Sequence, residues 1–175
     1  MSISTGKGDG GETSLWSGER VGKDSLRVDC YGTVDELNSF LSDAKHYVEQ
    51  DEVREIIIEI QNDLFKVAGE IASLKKEYVK PLTDKDIDRI TGYVHKFEDI
   101  IKLKGFVLTG STKGSAKLDI CRTIARRVER LVVKLNRDVK IDSNVLKYIN
   151  RLSDLLFILA RYEEFKQDKI IYHQW

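Results

Sequence analysis

Pro81 is the only proline in a chain of 175 residues. A proline inside a helix removes a backbone donor and clashes with the preceding turn, so long helices are open to this chain almost everywhere else. Apolar residues recur at helical spacing in five stretches. Val34, Leu37, Leu41, Ala44 and Val48 form the first, ending near residue 48. Val53, Ile56, Ile57, Ile60, Leu64, Phe65, Ala68, Ile71 and Leu74 form the second, over about 51–76. Ile87, Ile90, Val94 and Phe97 make the third; Leu118, Cys121, Ile124, Ala125, Val128, Leu131, Val132 and Leu135 make the fourth. The fifth runs through Val145, Leu146, Ile149, Leu152, Leu156, Leu159 and Tyr162. Thr33 with Glu36, and Thr83 with Asp86, read as capping boxes that open the first and third helices. No strand alternation and no internal repeat competes with this pattern. The expected fold is all-α, a five-helix bundle in one domain over 1–175. An irregular, glycine-rich arm takes 1–32, the bundle 33–166 and a short tail 167–175, with Trp175 as a terminal anchor.

Charge narrows the partners. Lys+Arg and Asp+Glu both number 29, for a formal net charge of zero. That excludes a general nucleic-acid coat and leaves room for one local anion site. With 41% hydrophobic and 33% charged residues the balance is that of a soluble globular protein. Cys30 and Cys121 lack any paired spacing and read as buried thiols of an intracellular chain, not as a zinc motif or a disulfide framework. His46, His95 and His173 are scattered, and none has a glutamate three positions before it. That sets aside the di-iron carboxylate bundles, and His95 reads as an ordinary surface histidine. No secretory leader precedes the first motif and no apolar run approaches bilayer length, so the expected compartment is the cytoplasm.

Chemistry-bearing residues gather in a few places. Residues 122–130 read RTIARRVER, on the helix that carries the fourth stripe. Steps of three and four put Arg122, Arg126 and Glu129 on one face, and Arg130 extends the row by a turn. Such a row presents several guanidinium forks to a polyanion, with Glu129 orienting one of them or holding a cation. A solvated face laced with ion pairs is the alternative. Residues 5–13 read TGKGDGGET, placing Gly6, Gly8, Gly10 and Gly11 among Lys7, Asp9 and Thr13. Glycines let backbone N–H groups turn inward around a phosphate, and Lys7 supplies a point charge, although the Walker A pattern is not met. A ligand-free flexible arm is the competing reading. Lys23 and Arg27 add basic groups before the expected first helix. Asp35 sits in that helix's first turn, where a carboxylate also simply complements the helix dipole. Phe106, Val107 and Leu108 form an apolar knuckle in a glycine-broken loop over 105–115, either a buried connector or a wall for an apolar ligand. Asn150 lies at the margin of the fifth stripe as a packing polar group or a ligand contact.

Four of these pieces belong together: TGKGDGGETSL with Gly18 and Arg20 after it, RVDCYGTVDELNS at 27–39, CRTIARRVER at 121–130 and NRLSDLLFILAR at 150–161. In this order they resemble the PduO-type ATP:corrinoid adenosyltransferases across essentially the whole chain. The resemblance implies a homotrimer of five-helix bundles with each site between adjacent subunits. It implies ATP with Mg2+ against the N-terminal arm, and a cobalamin or other corrinoid bound as four-coordinate cob(II)alamin and reduced to cob(I)alamin. Cobalt then takes the 5′-deoxyadenosyl group of ATP and inorganic triphosphate leaves. By the same resemblance Thr5, Gly6, Lys7, Gly8, Asp9, Gly11 and Thr13 wrap phosphate, with Lys23 downstream. Asp35 pairs across the subunit boundary with Arg122. Arg126, Glu129 and Arg130 take the triphosphate and magnesium side, Asn150 contacts ATP, and Phe106 is the aromatic wall that displaces the lower axial ligand of cobalt. A flavin-type reductase and an adenosylcobalamin-dependent acceptor enzyme are the implied partners. The chain departs from the family pattern in three places: Lys7 is shifted by one position, Thr109-Gly110-Ser111 replaces Pro-Gly-Gly, and Asp119 stands where a histidine is common. Another nucleotide-dependent transferase or kinase on a helical bundle, a non-catalytic adenosylcobalamin carrier and a purely structural helical module are the competing functions.

Overall fold

Five helices carry the five apolar stripes. The computed structural model describes residue 4 and residues 6–174; Thr5 and Trp175, both singled out above, lie outside them. The helices are α1 (Leu26–Ala44), α2 (Asp51–Ile71), α3 (Asp84–Ile101), α4 (Lys113–Asp138) and α5 (Ser143–Phe165). α4 packs between α1 and α5, α5 also packs on α3, and α1 on α2. The core between them holds Leu37, Leu41, Ile57, Leu64, Phe97, Leu118, Leu152 and Leu156, all essentially inaccessible to solvent. α2 and α3 are bridged by long side chains: Asp63 takes Lys66 at 2.9 Å, Arg89 and the Tyr148 hydroxyl at 2.9 Å, and Lys66 also reaches Asp86 at 2.8 Å. Burial of the Tyr148 phenol beside the Asp63 charge raises its pKa well above the ordinary value.

Two boundaries differ from the sequence expectation for a tertiary reason. α1 begins at Leu26, after Ser25 in extended conformation, so the Thr33–Glu36 pair is not a capping box. Thr33 is buried mid-helix and its hydroxyl donates to the Asp29 carbonyl at 2.8 Å, while Glu36 pairs with Arg127 on α4. The earlier start is held by Cys30, fully buried, and by Arg27, whose guanidinium donates to the carbonyls of Ile71 and Ser73. Those contacts satisfy orphan acceptors at the end of α2, which stops at Ile71 rather than near residue 76. Leu74 therefore falls outside the core, 50% exposed, and Phe65, within α2, faces outward at 65%. The Thr83–Asp86 box forms as expected, with Thr83 N–H donating to Asp86 at 2.9 Å.

Two short antiparallel strand pairs were not expected. β1 (Glu12–Ser14) pairs with β2 (Arg20–Gly22), Thr13 opposite Val21. β3 (Val107–Leu108) pairs with β4 (Ile171–Tyr172), so the tail folds back over the loop that precedes α4. Strands of two or three residues are too short to show a period of two. α4 then opens on a box of its own, Ser115 N–H donating to the Thr112 hydroxyl at 3.1 Å and Thr112 N–H to the Ser115 hydroxyl at 3.0 Å. Gly114 in its first turn lies against the backbone of Tyr47, where a Cβ would come within 2.9 Å of the carbonyl oxygen. Among the described residues no helix is long and apolar enough to cross a membrane.

Candidate functional site

α4 turns its apolar stripe inward and leaves the arginine row along one edge. Arg122 is partly buried; Arg126 and Arg130 are exposed. Arg122 donates through Nε to Asp119 Oδ1 at 3.0 Å, and Asp119 Oδ2 accepts from Arg161 Nη2 at 2.6 Å. Arg161 is fully buried on α5 and is held by Glu164 through Nε at 2.7 Å and Nη2 at 2.9 Å. Among the described residues its Nη1 has no hydrogen-bond partner, and the guanidinium stacks 5.1 Å from the Phe157 ring centroid, with Arg122 6.0 Å from the same ring. Glu164 also accepts from the N–H groups of Gly110 at 3.2 Å and Ser111 at 3.1 Å. One buried ionic chain thus joins α4, α5 and the loop between β3 and α4. Beside it, between α3, α4 and α5, opens a cleft of about 480 Å3. Val94, Leu103 and Phe157 give it an apolar wall, while Arg122 and Arg126 bring cations and Glu98 and Asp154 acids.

One turn further along α4 the amide of Asn150 donates to Glu129 Oε1 at 2.9 Å and accepts from Arg151 at 2.8 Å. Arg126 and Arg130 make no ion pair among the described residues, which leaves two uncompensated guanidiniums flanking Glu129. The described residues hold no group of three or more histidines, cysteines and carboxylates able to bind a metal. A divalent cation at Glu129 would therefore take most of its oxygens from a ligand and water, which is how Mg2+ commonly binds beside phosphates.

The arm forms a hairpin. Gly6 (φ +67°) and Gly11 (φ +81°) take left-handed conformations around two tight turns, closed by Asp9 N–H to the Gly6 carbonyl and Gly11 N–H to the Gly8 carbonyl, both 3.2 Å. Lys23 N–H donates to the Gly11 carbonyl at 2.9 Å, and the Lys23 ammonium lies close enough to Gly8 that a Cβ there would meet Nζ at 3.1 Å. Arg20 holds the Lys7 carbonyl at 2.9 Å and Glu12 at 3.4 Å. Thr13 sits in β1. The hairpin is stapled to the end of α2: Trp16 N–H donates to the Ala72 carbonyl at 3.0 Å, and Ser17 and Glu19 accept from the N–H groups of Leu74 and Lys75. Between residues 6–23 and the arginine row there is no hydrogen bond or ion pair among the described residues. Asp35 lies exposed on α1 and makes no ion pair there either; within one chain it does not meet Arg122, which pairs with Asp119. Phe106 is 74% exposed, so the knuckle is no buried connector, and its carbonyl accepts from His173 N–H at 2.8 Å.

A family profile described as cobalamin adenosyltransferase matches residues 3–163. The chain belongs to the cobalamin adenosyltransferase family. It is 37% identical to a corrinoid adenosyltransferase of Citrobacter freundii over 95% of this chain and 97% of that one. With the corrinoid adenosyltransferase of Bacillus subtilis the identity is 39%, covering 92% and 86%. Among solved structures, a phenylalanine-to-histidine variant of the PduO-type ATP:corrinoid adenosyltransferase from Lactobacillus reuteri, complexed with cobalamin and ATP, superposes with a TM-score of 0.92 at 30% identity, over 99% of this chain and 97% of that one. An arginine-to-lysine variant of the same enzyme, complexed with ATP, gives 0.91 at 31% identity, over 98% and 100%.

Within this adenosyltransferase fold, sequence reasoning overlooked Phe157, Arg161 and Glu164, and treated Asp119 only as a departure. Asp119–Arg122 and Arg161–Glu164 are both three-residue steps on a helix and were open to view as local pairs. The bond between them spans 42 positions and has no local signature.

Proposed function

We propose that this chain transfers the 5′-deoxyadenosyl group of ATP to the cobalt of cob(I)alamin and releases inorganic triphosphate. The observation that carries the proposal is the unneutralised pair Arg126 and Arg130 beside the Phe157-walled cleft, in a chain whose fold follows an ATP- and cobalamin-bound relative over nearly its full length. The cobalt(I) electron pair forms the cobalt–carbon bond at C5′, the C5′–oxygen bond breaks, and its electrons leave with the triphosphate. No side chain need remove a proton. The protein's part is to place C5′ in line and to meet the charge of the leaving group.

Arg126 and Arg130 supply that charge. The turns at Gly6, Gly8 and Gly11, with Thr5, Lys7, Asp9, Thr13 and Lys23, wrap the phosphates, and Asn150 orients Glu129 while contacting the nucleotide. Mg2+ at Glu129 would further neutralise the triphosphate oxygens. Phe106, exposed on its loop, offers an apolar surface to the corrinoid where the lower axial ligand would otherwise bind. Losing that ligand lowers the cobalt orbital that accepts the electron from a reductase, which eases reduction of cob(II)alamin. Among the described residues the arm, Asp35 and the arginine row share no hydrogen bond or ion pair within one chain, which supports a site that closes between neighbouring copies in a homotrimer, the arm of one against α4 of the next.

An anaerobic assay with cob(I)alamin and MgATP tests this. Expected are the spectrum of a cobalt–carbon bond and one triphosphate per adenosylcobalamin formed. ADP with a phosphorylated product would identify a kinase, and bound adenosylcobalamin without turnover a carrier; either would overturn the proposal.

A further inference from the structure

We propose that Asp119 is the positioning residue of the site, fixing the direction in which Arg122 presents its donors and tying that direction to the loop between β3 and α4. The proposal rests on the reading of Arg122 as a site residue given above. Asp119 divides its carboxylate between two arginines, Oδ1 on Nε of Arg122 and Oδ2 on Nη2 of Arg161. Engagement through Nε is side-on. A guanidinium carries five N–H donors, and this bond uses one, leaving the two terminal nitrogens of Arg122 open for a carboxylate or phosphate approaching from the cleft. Among the described residues those terminal nitrogens have no hydrogen-bond partner.

The anchor is stiff because its far end is out of water. Arg161 and Glu164 are both fully buried, and Glu164 spends its remaining capacity on the N–H groups of Gly110 and Ser111. Moving Asp119 would break its buried bond to Arg161, in a low-dielectric environment where an unpaired charge is costly. The long side chain of Arg122 is thereby ordered before any ligand arrives, so the ordering entropy is not charged against binding. Charge follows the same division of labour. Arg122, Asp119, Arg161 and Glu164 sum to zero, so Arg122 contributes directed hydrogen bonds, while Arg126 and Arg130 contribute net positive charge. Through Glu164 the same chain of bonds reaches the loop that follows Phe106, so the geometry on the two sides of the reaction is set by one buried network.

A double-mutant cycle on kcat/KM for ATP tests this. Asp119→Asn turns one acceptor into a donor, which must face one of the two arginines, and is expected to lower kcat/KM on the order of a hundredfold, the scale of a 1 Å misplacement. Combined with Arg122→Lys it is expected to cost no more than the worse single variant, because both changes remove the same directed donors. Combined with Arg126→Lys, the losses should multiply. Multiplication with Arg122→Lys would overturn the proposal and leave Asp119 as a counter-ion for Arg161. Wild-type turnover by Arg122→Lys alone would overturn the reading of Arg122 itself, a result distinct from additivity. Should Asp119→Asn fail to fold, Asp119→Glu keeps the charge beside Arg161 but displaces the oxygen from Arg122, and the same cycle applies with the same two outcomes.

Discussion

Phe106 has little to do for the fold. At 74% exposure its truncation forfeits far less than the ~3–5 kcal/mol of a core phenylalanine, and surface changes usually stay within about 0.5 kcal/mol. Phe106→Ala is therefore expected to melt with the wild type and to keep its ATP affinity. It should adenosylate chemically pre-reduced cob(I)alamin at a modestly reduced rate, and fail when started from cob(II)alamin with a mild reductant. Equal losses from both oxidation states would remove Phe106 from the cobalt chemistry. The cysteines give a second check at this scale. Burial pushes the Cys30 thiol up to about 11 and the Cys121 thiol up to about 12, from an ordinary 9.0. A raised pKa means that the folded state favours the neutral thiol: this contribution to stability is full below pH 9 and fades as pH climbs toward 11–12. Alkylation needs the thiolate. At pH 8 iodoacetamide should leave both cysteines unmodified in the native protein and modify both in denaturant, as read by intact mass. Rapid native labelling of Cys30 would mean that the α1–α4 seam opens.

The N-terminal arm behaves as two elements, not one. The hairpin of β1 and β2 is bonded to the end of α2 through Trp16, Ser17 and Glu19, whereas residues 6–11 hold two turn bonds and are tied to the hairpin itself, by Arg20 at the Lys7 carbonyl and Lys23 N–H at the Gly11 carbonyl. Ordering a backbone costs ~1–2 kcal/mol per residue, which phosphate contacts would offset for the glycine turns. Hydrogen exchange should show residues 6–11 gaining protection with MgATP, and residues 12–22 protected in both states. No gain at 6–11 would make the whole arm a structural clasp. The same contrast shows what was legible beforehand. The five stripes and the Thr83–Asp86 box were readable because each is local, a matter of spacing along a single helix. The start of α1 was not, because Arg27 earns its place in the helix by capping carbonyls 44 residues away. β3 and β4 are two residues each and exist only as a pair. Of the site, the row of Arg122, Arg126, Glu129 and Arg130 could be read from helical spacing, while the Asn150–Glu129 and Asp119–Arg161 bonds depend on how α4 meets α5.

At the scale of the whole molecule, the proposed homotrimer draws its support from three open ends. Asp35 is exposed and has no intrachain ion pair, the terminal nitrogens of Arg122 have no hydrogen-bond partner, and the arm makes no hydrogen bond or ion pair with the arginine row, all among the described residues. Sedimentation is expected to give three subunits at micromolar concentration; a monomer with full turnover would sink the shared site. The energetics are milder than those of a bare buried charge. Arg122 keeps Asp119 when Asp35 is lost, so Asp35→Asn should cost about 1.5–3 kcal/mol per interface, the worth of a charge-assisted hydrogen bond, instead of the ~3–5 kcal/mol of a stranded ion. Turnover should fall with assembly. Mixing supplies the decisive form of the test. Subunits carrying Asp35→Asn retain an intact Arg122, and subunits carrying Arg122→Lys retain an intact Asp35. Where the two meet in the right order in one trimer, a boundary has both wild-type residues and is expected to work. Co-expressed variants should therefore exceed the activity of either parent assembled alone. If Asp35 and Arg122 act within the same chain, no arrangement of subunits can restore the pair, and the mixture would stay at the average of its two defective parents.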